Sequence, residues 1–209
     1  MLDGLEADAP APDLAALVGP EGWARLPPAV RRRFGPGHAN RSRRYLGSLD
    51  VERSRLGWVF AAFGLLLGRP LPLSRGRGVP GEVVVRRSGA EVAWERRLWF
   101  GPDRAERVAS SKGLGPDGRL VERTRAGLCM ELDVLERGGA LVFRSRRYLL
   151  RIGRWQVPLP GLLTPGVCQV THQDEGAGRF RFTLTMRHPV WGLLFYQDGV
   201  FADPEEESC

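Results

Sequence analysis

From residue 81 to residue 201 the chain is written almost entirely in period-two segments separated by turn-sized gaps, with no helical spacing between them. The clearest is Arg179-Phe180-Arg181-Phe182-Thr183-Leu184-Thr185-Met186-Arg187. Side chains of a strand alternate between two faces, so Phe180, Phe182, Leu184 and Met186 share a dry face and the arginines and threonines a wet one. Pro189 has no N–H to offer a ladder and ends the segment. A closing strand follows over 193–201. The other segments are 82–87, 91–100, 106–112, 119–125, 128–135, 140–152 and 167–174. Ser88-Gly89-Ala90, Gly115-Pro116-Asp117-Gly118, Gly138-Gly139 and Gly176-Ala177-Gly178 are turns of hairpin length. About nine strands joined in this way make an antiparallel meander, and so wide a sheet twists enough to curl into a barrel or an open half-barrel. The expected class is mainly β (α+β), with short N-terminal helices and one apolar helix packed against the curled sheet.

Ahead of the meander, Leu14, Leu17 and Val18 repeat at helical spacing, and Gly19-Pro20 ends the run. Pro27-Pro28 suits a helix start, which would place Trp23, Leu26, Val30 and Phe34 near one face. Residues 41–51 read as a first strand with Tyr45, Leu49 and Val51 inward. Ser54 is an N-cap for a helix over 55–67 that is apolar almost all round, so burial as a plug or lid is expected. Docking on a membrane or partner is the weaker reading, since a surface-lying helix would carry a basic face. Residues 74–80 read as a Gly/Arg loop. Residues 1–202 form one β-rich domain in this reading, with 1–12 flexible and 203–209 an acidic, disordered tail.

The net charge is +7, yet only one of the 31 basic residues is a lysine, Lys112. Such a skew reflects compositional bias more than a nucleic-acid partner. The densest basic cluster, Arg31, Arg32, Arg33, Arg41, Arg43 and Arg44, lies beside no nucleic-acid module and reads as a solvated face. Cys129, Cys168 and Cys209 lack CxxC spacing, which argues against a disulfide framework or a zinc site and fits a reducing compartment. The start is acidic, unlike a signal peptide, and the longest apolar run, 58–68, is about half of a bilayer span. A cytoplasmic protein with no transmembrane segment is expected.

Residues that break the alternation matter most for function. Arg96 shares parity with Val92, Trp94, Leu98 and Phe100; Glu122 with Leu120 and Thr124; His172 with Cys168 and Val170. A buried charge is costly unless paired, so an inward Arg96 requires a partner such as Glu122. A missed bulge would instead return either residue to water. His172 alone reads as a core histidine, and neither His38 nor His188 joins it at metal-ligand spacing. Ser110-Ser111-Lys112 lacks S-x-x-K spacing, and no G-x-S-x-G occurs. Gly76-Arg77-Gly78-Val79-Pro80-Gly81 matches a dinucleotide fingerprint by letter only, because it precedes a strand. No metal or cofactor is expected.

Several short motifs fall in a telling order: Trp94-Glu95-Arg96 with Phe100, Glu122, Arg144-Ser145-Arg146 with Tyr148, Pro158-Leu159-Pro160, and His188-Pro189-Val190-Trp191-Gly192-Leu193-Leu194-Phe195-Tyr196 running on to Phe201. With the early Trp23-Ala24-Arg25-Leu26-Pro27-Pro28, the chain resembles a bacterial family known as domain of unknown function 4166 over about residues 20–202. The resemblance implies no reaction; it suggests an accessory module for an oxidoreductase or a membrane-associated partner. Three functions are thus in play. The first is a module binding a small apolar or lipid-like ligand, with Trp94, Arg96, Glu122, Tyr148, His172 and Tyr196 as its site. The second is an enzyme on such a ligand using Glu122 or His172 as acid/base. The third is a domain docking through the apolar helix.

Overall fold

Ten antiparallel strands close on themselves, because the two ends of the meander find each other. The computed structural model describes residues 11–35, 42–153 and 155–204. Three short helices, α1 (Leu14–Val18), α2 (Pro20–Arg25) and α3 (Pro28–Phe34), lead to β1 (Arg43–Arg53) and helix α4 (Arg55–Gly64). Then come β2 (Gly76–Ser88), β3 (Glu91–Gly101), β4 (Arg104–Leu114), β5 (Leu120–Arg123), β6 (Leu128–Arg137) and β7 (Ala140–Ile152). The chain ends with β8 (Trp155–Pro158), a 3-10 turn (Gly161–Leu163), β9 (Val167–Gly176), β10 (Arg179–His188) and β11 (Gly192–Ala202). Strands β1 to β7 follow one another round the wall, then β9, β10 and β11, and β11 pairs with β1. All nine strands expected downstream of residue 81 form. The expected loop at 74–80 is a strand from Gly76, and β8 is an addition. The expected tail beyond residue 204, the segment around His38, and Cys209 lie outside the described residues.

The interior follows the alternation. Along β10, Phe180, Phe182, Leu184 and Met186 are all buried, as are Tyr45, Leu49 and Val51 of β1. Helices α1 to α3 close one end. Asp13 caps α1 through the amide of Ala15 (2.9 Å), and Leu26, Val30 and Phe34 pack with Leu132, Leu141 and Phe143. Arg33 corrects the solvated-face reading of its cluster. Its side chain is buried, lies over the Phe180 ring (4.0 Å to the centroid) and grips Asp203 with two bonds of 2.8 and 2.7 Å. This end is solid.

At the other end α4 crosses the mouth. Ser54 caps it, accepting from the Gly57 amide at 3.0 Å. The expectation of a buried helix fails here, for a specific reason. Only Gly57, Ala61 and Gly64 are buried, a small-residue seam: a Cβ on Gly57 would stand 2.2 Å from Leu194 O of β11, and one on Gly64 3.2 Å from Pro70. Leu56, Trp58, Val59 and Phe63 remain exposed. Opposite α4, β7 pairs with β9 only over Leu141–Arg144, and its far half pairs with β8 instead. The 159–165 segment fills the resulting seam, held by Leu159 N donating to Tyr148 O at 2.9 Å. Among the described residues no helix is long and apolar enough to cross a membrane.

Candidate functional site

A ring of about eight strands can be filled by its own side chains, whereas ten leave a hollow unless something plugs it. Here the plug fills one end only. The remaining hollow offers about 170 Å³ to the centres of water-sized molecules. Its wall is largely apolar, with Leu49, Leu71, Leu98, Phe182, Leu184 and Met186 contributing. The polar exceptions gather on three adjacent strands: Trp94 and Arg96 on β3, Ser110 and Lys112 on β4, and Glu122 on β5. Register brings them together, since Trp94 stands opposite Ser110 and Lys112 opposite Glu122. Tyr148 of β7 and His172 of β9 join the same wall.

Glu122 accepts a hydrogen bond from Ser110 Oγ at 2.5 Å, and Lys112 Nζ lies 3.3 Å from its other oxygen. The lysine ammonium also sits 4.8 Å from the Trp94 ring centroid, within cation–π reach. Arg96 stands apart, its guanidinium 5.7 Å from the Phe182 ring centroid. Among the described residues it has neither a hydrogen-bond acceptor nor an ion-pair partner. The expected Arg96–Glu122 pair is therefore replaced by Lys112–Glu122, because direct opposition across β4 and β5 brings Lys112 closer. Arg96 acts on the carboxylate only through space.

The titration of these groups follows from burial and from one another. Burial lowers the pKa of both Arg96 and Lys112, with Glu122 pulling back. For Glu122 burial works upward but is outweighed by Lys112, the Ser110 hydroxyl and Arg96, which hold the carboxyl below its ordinary range. Burial pushes the Cys168 thiol up to about 12, which makes it an inert wall group. Two cations face one carboxylate, and Arg33 is already matched by Asp203. The hollow is electropositive.

Three further polar atoms on the wall, Arg33 Nη1, Trp94 Nε1 and His172 Nδ1, are buried without hydrogen-bond partners, and Tyr148 Oη is buried with only the Ser145 side chain near it. Burial, then the proximity of Cys168, drives the Tyr148 pKa well above its ordinary value. His172 sits among aromatic rings, with centroid distances of 4.9 Å to Phe34 and 5.5 Å to Phe182. Tyr196 does not join the set. Phe195, Gln197 and Phe201 of β11 are buried, so the alternation turns Tyr196 outward with Asp198.

His172 carries a pH prediction. Burial first, then Arg33, Lys112 and Arg96, push its pKa well below 6.5. The folded protein leaves it neutral while the unfolded chain takes up a proton, so the stability is fully present above about pH 6.5 and declines as pH falls. Phenylalanine suits the aromatic surroundings. The urea unfolding free energy of His172→Phe should gain about 1 kcal/mol on the wild type between pH 7 and pH 5.5. Parallel pH profiles for the two proteins would contradict this.

Four residues that matter here have no role in the sequence reading. Lys112 and Ser110 complete the ion cluster, although the lone lysine of an arginine-rich chain was a visible anomaly. Arg33 seals the base. His188 pins the rim: its Nδ1 accepts from the amides of Val190 (3.1 Å) and Trp191 (3.3 Å), which leaves Nε2 to donate to Gly161 O at 3.3 Å. Among the described residues no group of three His, Cys, Asp or Glu side chains could hold a metal ion.

A family model described as a domain of unknown function matches residues 26–201. The structure of Rv2717c from Mycobacterium tuberculosis is 12% identical, with 86% of this chain and 99% of that one aligned at a TM-score of 0.42. The dehydratase domain of the polyketide PpsC from the same organism is also 12% identical, with 84% of this chain and 80% of that one aligned at a TM-score of 0.20. No curated protein matches the sequence.

Proposed function

The chain belongs to the family described as domain of unknown function 4166, and from its site we propose that the barrel binds a small apolar or lipid-like molecule that ends in an acidic group. The observation that carries this is the surplus of one half-buried cation, Arg96, in a mostly apolar hollow. A guanidinium withdrawn from bulk water without a protein acceptor is costly, and a carboxylate ligand would supply the missing charge through two parallel N–H···O bonds. Trp94 Nε1, which lacks a partner, and Tyr148 Oη, beside Ser145, are further donors for such a head group. Glu122 is already engaged by Ser110 and Lys112, so it repels a second acid from its own corner and directs the head group to Arg96. The apolar wall takes the tail.

An enzyme using Glu122 or His172 as acid/base is less well supported, although both residues line the hollow. A general base works best with its pKa raised toward neutrality, whereas the Glu122 carboxyl is held low.

Lys112 gives a direct test, because a chain with one lysine labelled with ¹³C-lysine has a single side-chain Nζ-methylene resonance. Titration with octanoic acid should shift that signal, and 1-octanol should bind at least about tenfold more weakly, since hydrogen bonds to a charged group are worth more than neutral ones. An unmoved resonance with both compounds, or equal affinity for acid and alcohol, would sink the proposal.

A further inference from the structure

The mouth of the barrel is bounded by a closed chain of contacts. Phe60 of α4 meets Trp191, with centroids 5.8 Å apart, and Trp191 stacks on His188 at 4.0 Å. His188 reaches Gly161, and the 159–165 segment reaches β7 through Tyr148. Arg151 N donates to Gly127 O at 2.8 Å, and Thr124 Oγ1 donates to Leu67 O at 2.6 Å, which returns to the end of α4. Around this ring large apolar side chains point outward: Phe63 is 64% exposed, Leu66 78%, Trp155 66% and Leu163 67%. Phe63 and Leu163 also line the hollow, so the exposed lip and the interior are one continuous apolar surface. A cluster of this kind on a soluble protein marks an interaction site.

Charge identifies the partner. Residues 53–81, 137–173 and 176–197, whose mouth-side parts form most of the lip, contain no aspartate or glutamate. Arg55, Arg69, Arg125, Arg151 and Arg187 are exposed there, and none has an ion pair among the described residues. The carboxylates at this end are Glu52, exposed at the end of β1, and Asp103 and Glu106 on the β3–β4 side, and Glu106 is taken up by the amides of Leu73 (2.6 Å) and Ser74 (3.1 Å). An apolar lip ringed by unpaired arginines is what an anionic lipid surface attracts: the cations meet the head groups and the apolar side chains enter the boundary beneath them. We propose that the mouth docks reversibly on an anionic lipid bilayer, with Phe63, Leu66 and Leu163 entering the head-group boundary, so that the hollow opens toward the membrane.

The test is flotation of the full chain with phosphatidylcholine vesicles and with vesicles containing about one-third phosphatidylglycerol. Binding should favour the anionic vesicles by about tenfold or more and weaken with added salt. The double substitution Phe63→Asp/Leu66→Asp should reduce anionic-vesicle binding by at least about tenfold with an unchanged circular dichroism spectrum. Arg69→Gln/Arg151→Gln should reduce the preference for anionic vesicles while leaving the interior resonance of Lys112 in place. The inference stands apart from the ligand proposal, because empty Arg96→Met protein should dock as well as the wild type. Equal binding to both vesicle types, or wild-type binding by the Asp variant, would overturn it. So would a dimer in light scattering that the Asp variant dissolves, since the lip would then belong to a second copy or another protein.

Discussion

Arg96→Met should melt higher than the wild type when empty and, in the same variant, bind octanoate about 30- to 100-fold more weakly. The two effects share one cause. The Arg96 guanidinium is withdrawn from bulk water without an acceptor, and the Phe182 ring, 5.7 Å away, and Glu122, acting through space, offer only partial compensation. Methionine has similar length, carries no charge and packs readily against Leu98, Phe182 and Leu184. Replacing a buried charge with an apolar side chain of like volume often stabilises, here by about 1–2 kcal/mol, or a rise in Tm of roughly 3–6 °C. A structural arginine would behave otherwise: its loss would lower Tm, and affinity would fall only as far as the fold did. Arg96→Lys separates charge from shape. It retains the cation but loses the planar fork, so octanoate affinity should fall between that of the wild type and that of the methionine variant. Calorimetry of the empty proteins and a binding titration at neutral pH give both readings. A lower Tm with unchanged affinity would remove Arg96 from the site.

How much of this could be read in advance depends on which residues carried a direction. The strand Arg179–His188 was legible because one face is dry throughout, and the glycine turns set the hairpins on either side. Arg96, Glu122 and His172 face inward as their parity required, since the bulges fall elsewhere, at Leu49/Val51, Trp99/Gly101, Glu131/Leu132, Arg179/Phe180 and Met186/Arg187. Closure was not legible. It rests on β1 meeting β11 from the far end of the chain, and local periodicity says nothing about such a pairing. Helix α4 misled because a segment apolar on every side has no preferred face; its Gly57, Ala61 and Gly64 chose the seam, and the large side chains were left outside. Lys112 is legible in the sequence on two counts. It shares parity with Val108, which is buried, and it is the chain's one lysine. Tyr196 came from a motif, while its own strand, with Phe195 and Phe201 buried, points it away.

Glu122→Gln should produce the converse of the Arg96 result, a less stable protein that holds octanoate at least as tightly as the wild type. Glutamine keeps the shape and an acceptor for Ser110 Oγ, so the substitution removes little besides the charge. Lys112, 3.3 Å from the carboxylate, then shares the hollow with Arg96 and no anion. Breaking a desolvated pair from one side costs about 3 kcal/mol, a fall in Tm of roughly 6–12 °C for a chain of this size. The double variant Glu122→Leu/Lys112→Met should recover most of that loss, and the cycle of single and double variants should show a coupling of about 2 kcal/mol. The acid limb adds a check of sign. Glu122 has a folded pKa below that of the unfolded chain, so its contribution is present above about pH 4.5 and is lost as pH falls through the depressed value; Glu122→Gln should lack that part of the slope. Affinity distinguishes the site from a mere ion pair. If the hollow selects acids by its surplus positive charge, removing the one carboxylate that lines it among the described residues enlarges the surplus, and octanoate restores part of the lost stability by mass action. An unstable Glu122→Gln protein that also loses octanoate would mean that the carboxylate itself holds the ligand, and the head group would then have to be a cation or a hydrogen-bond donor.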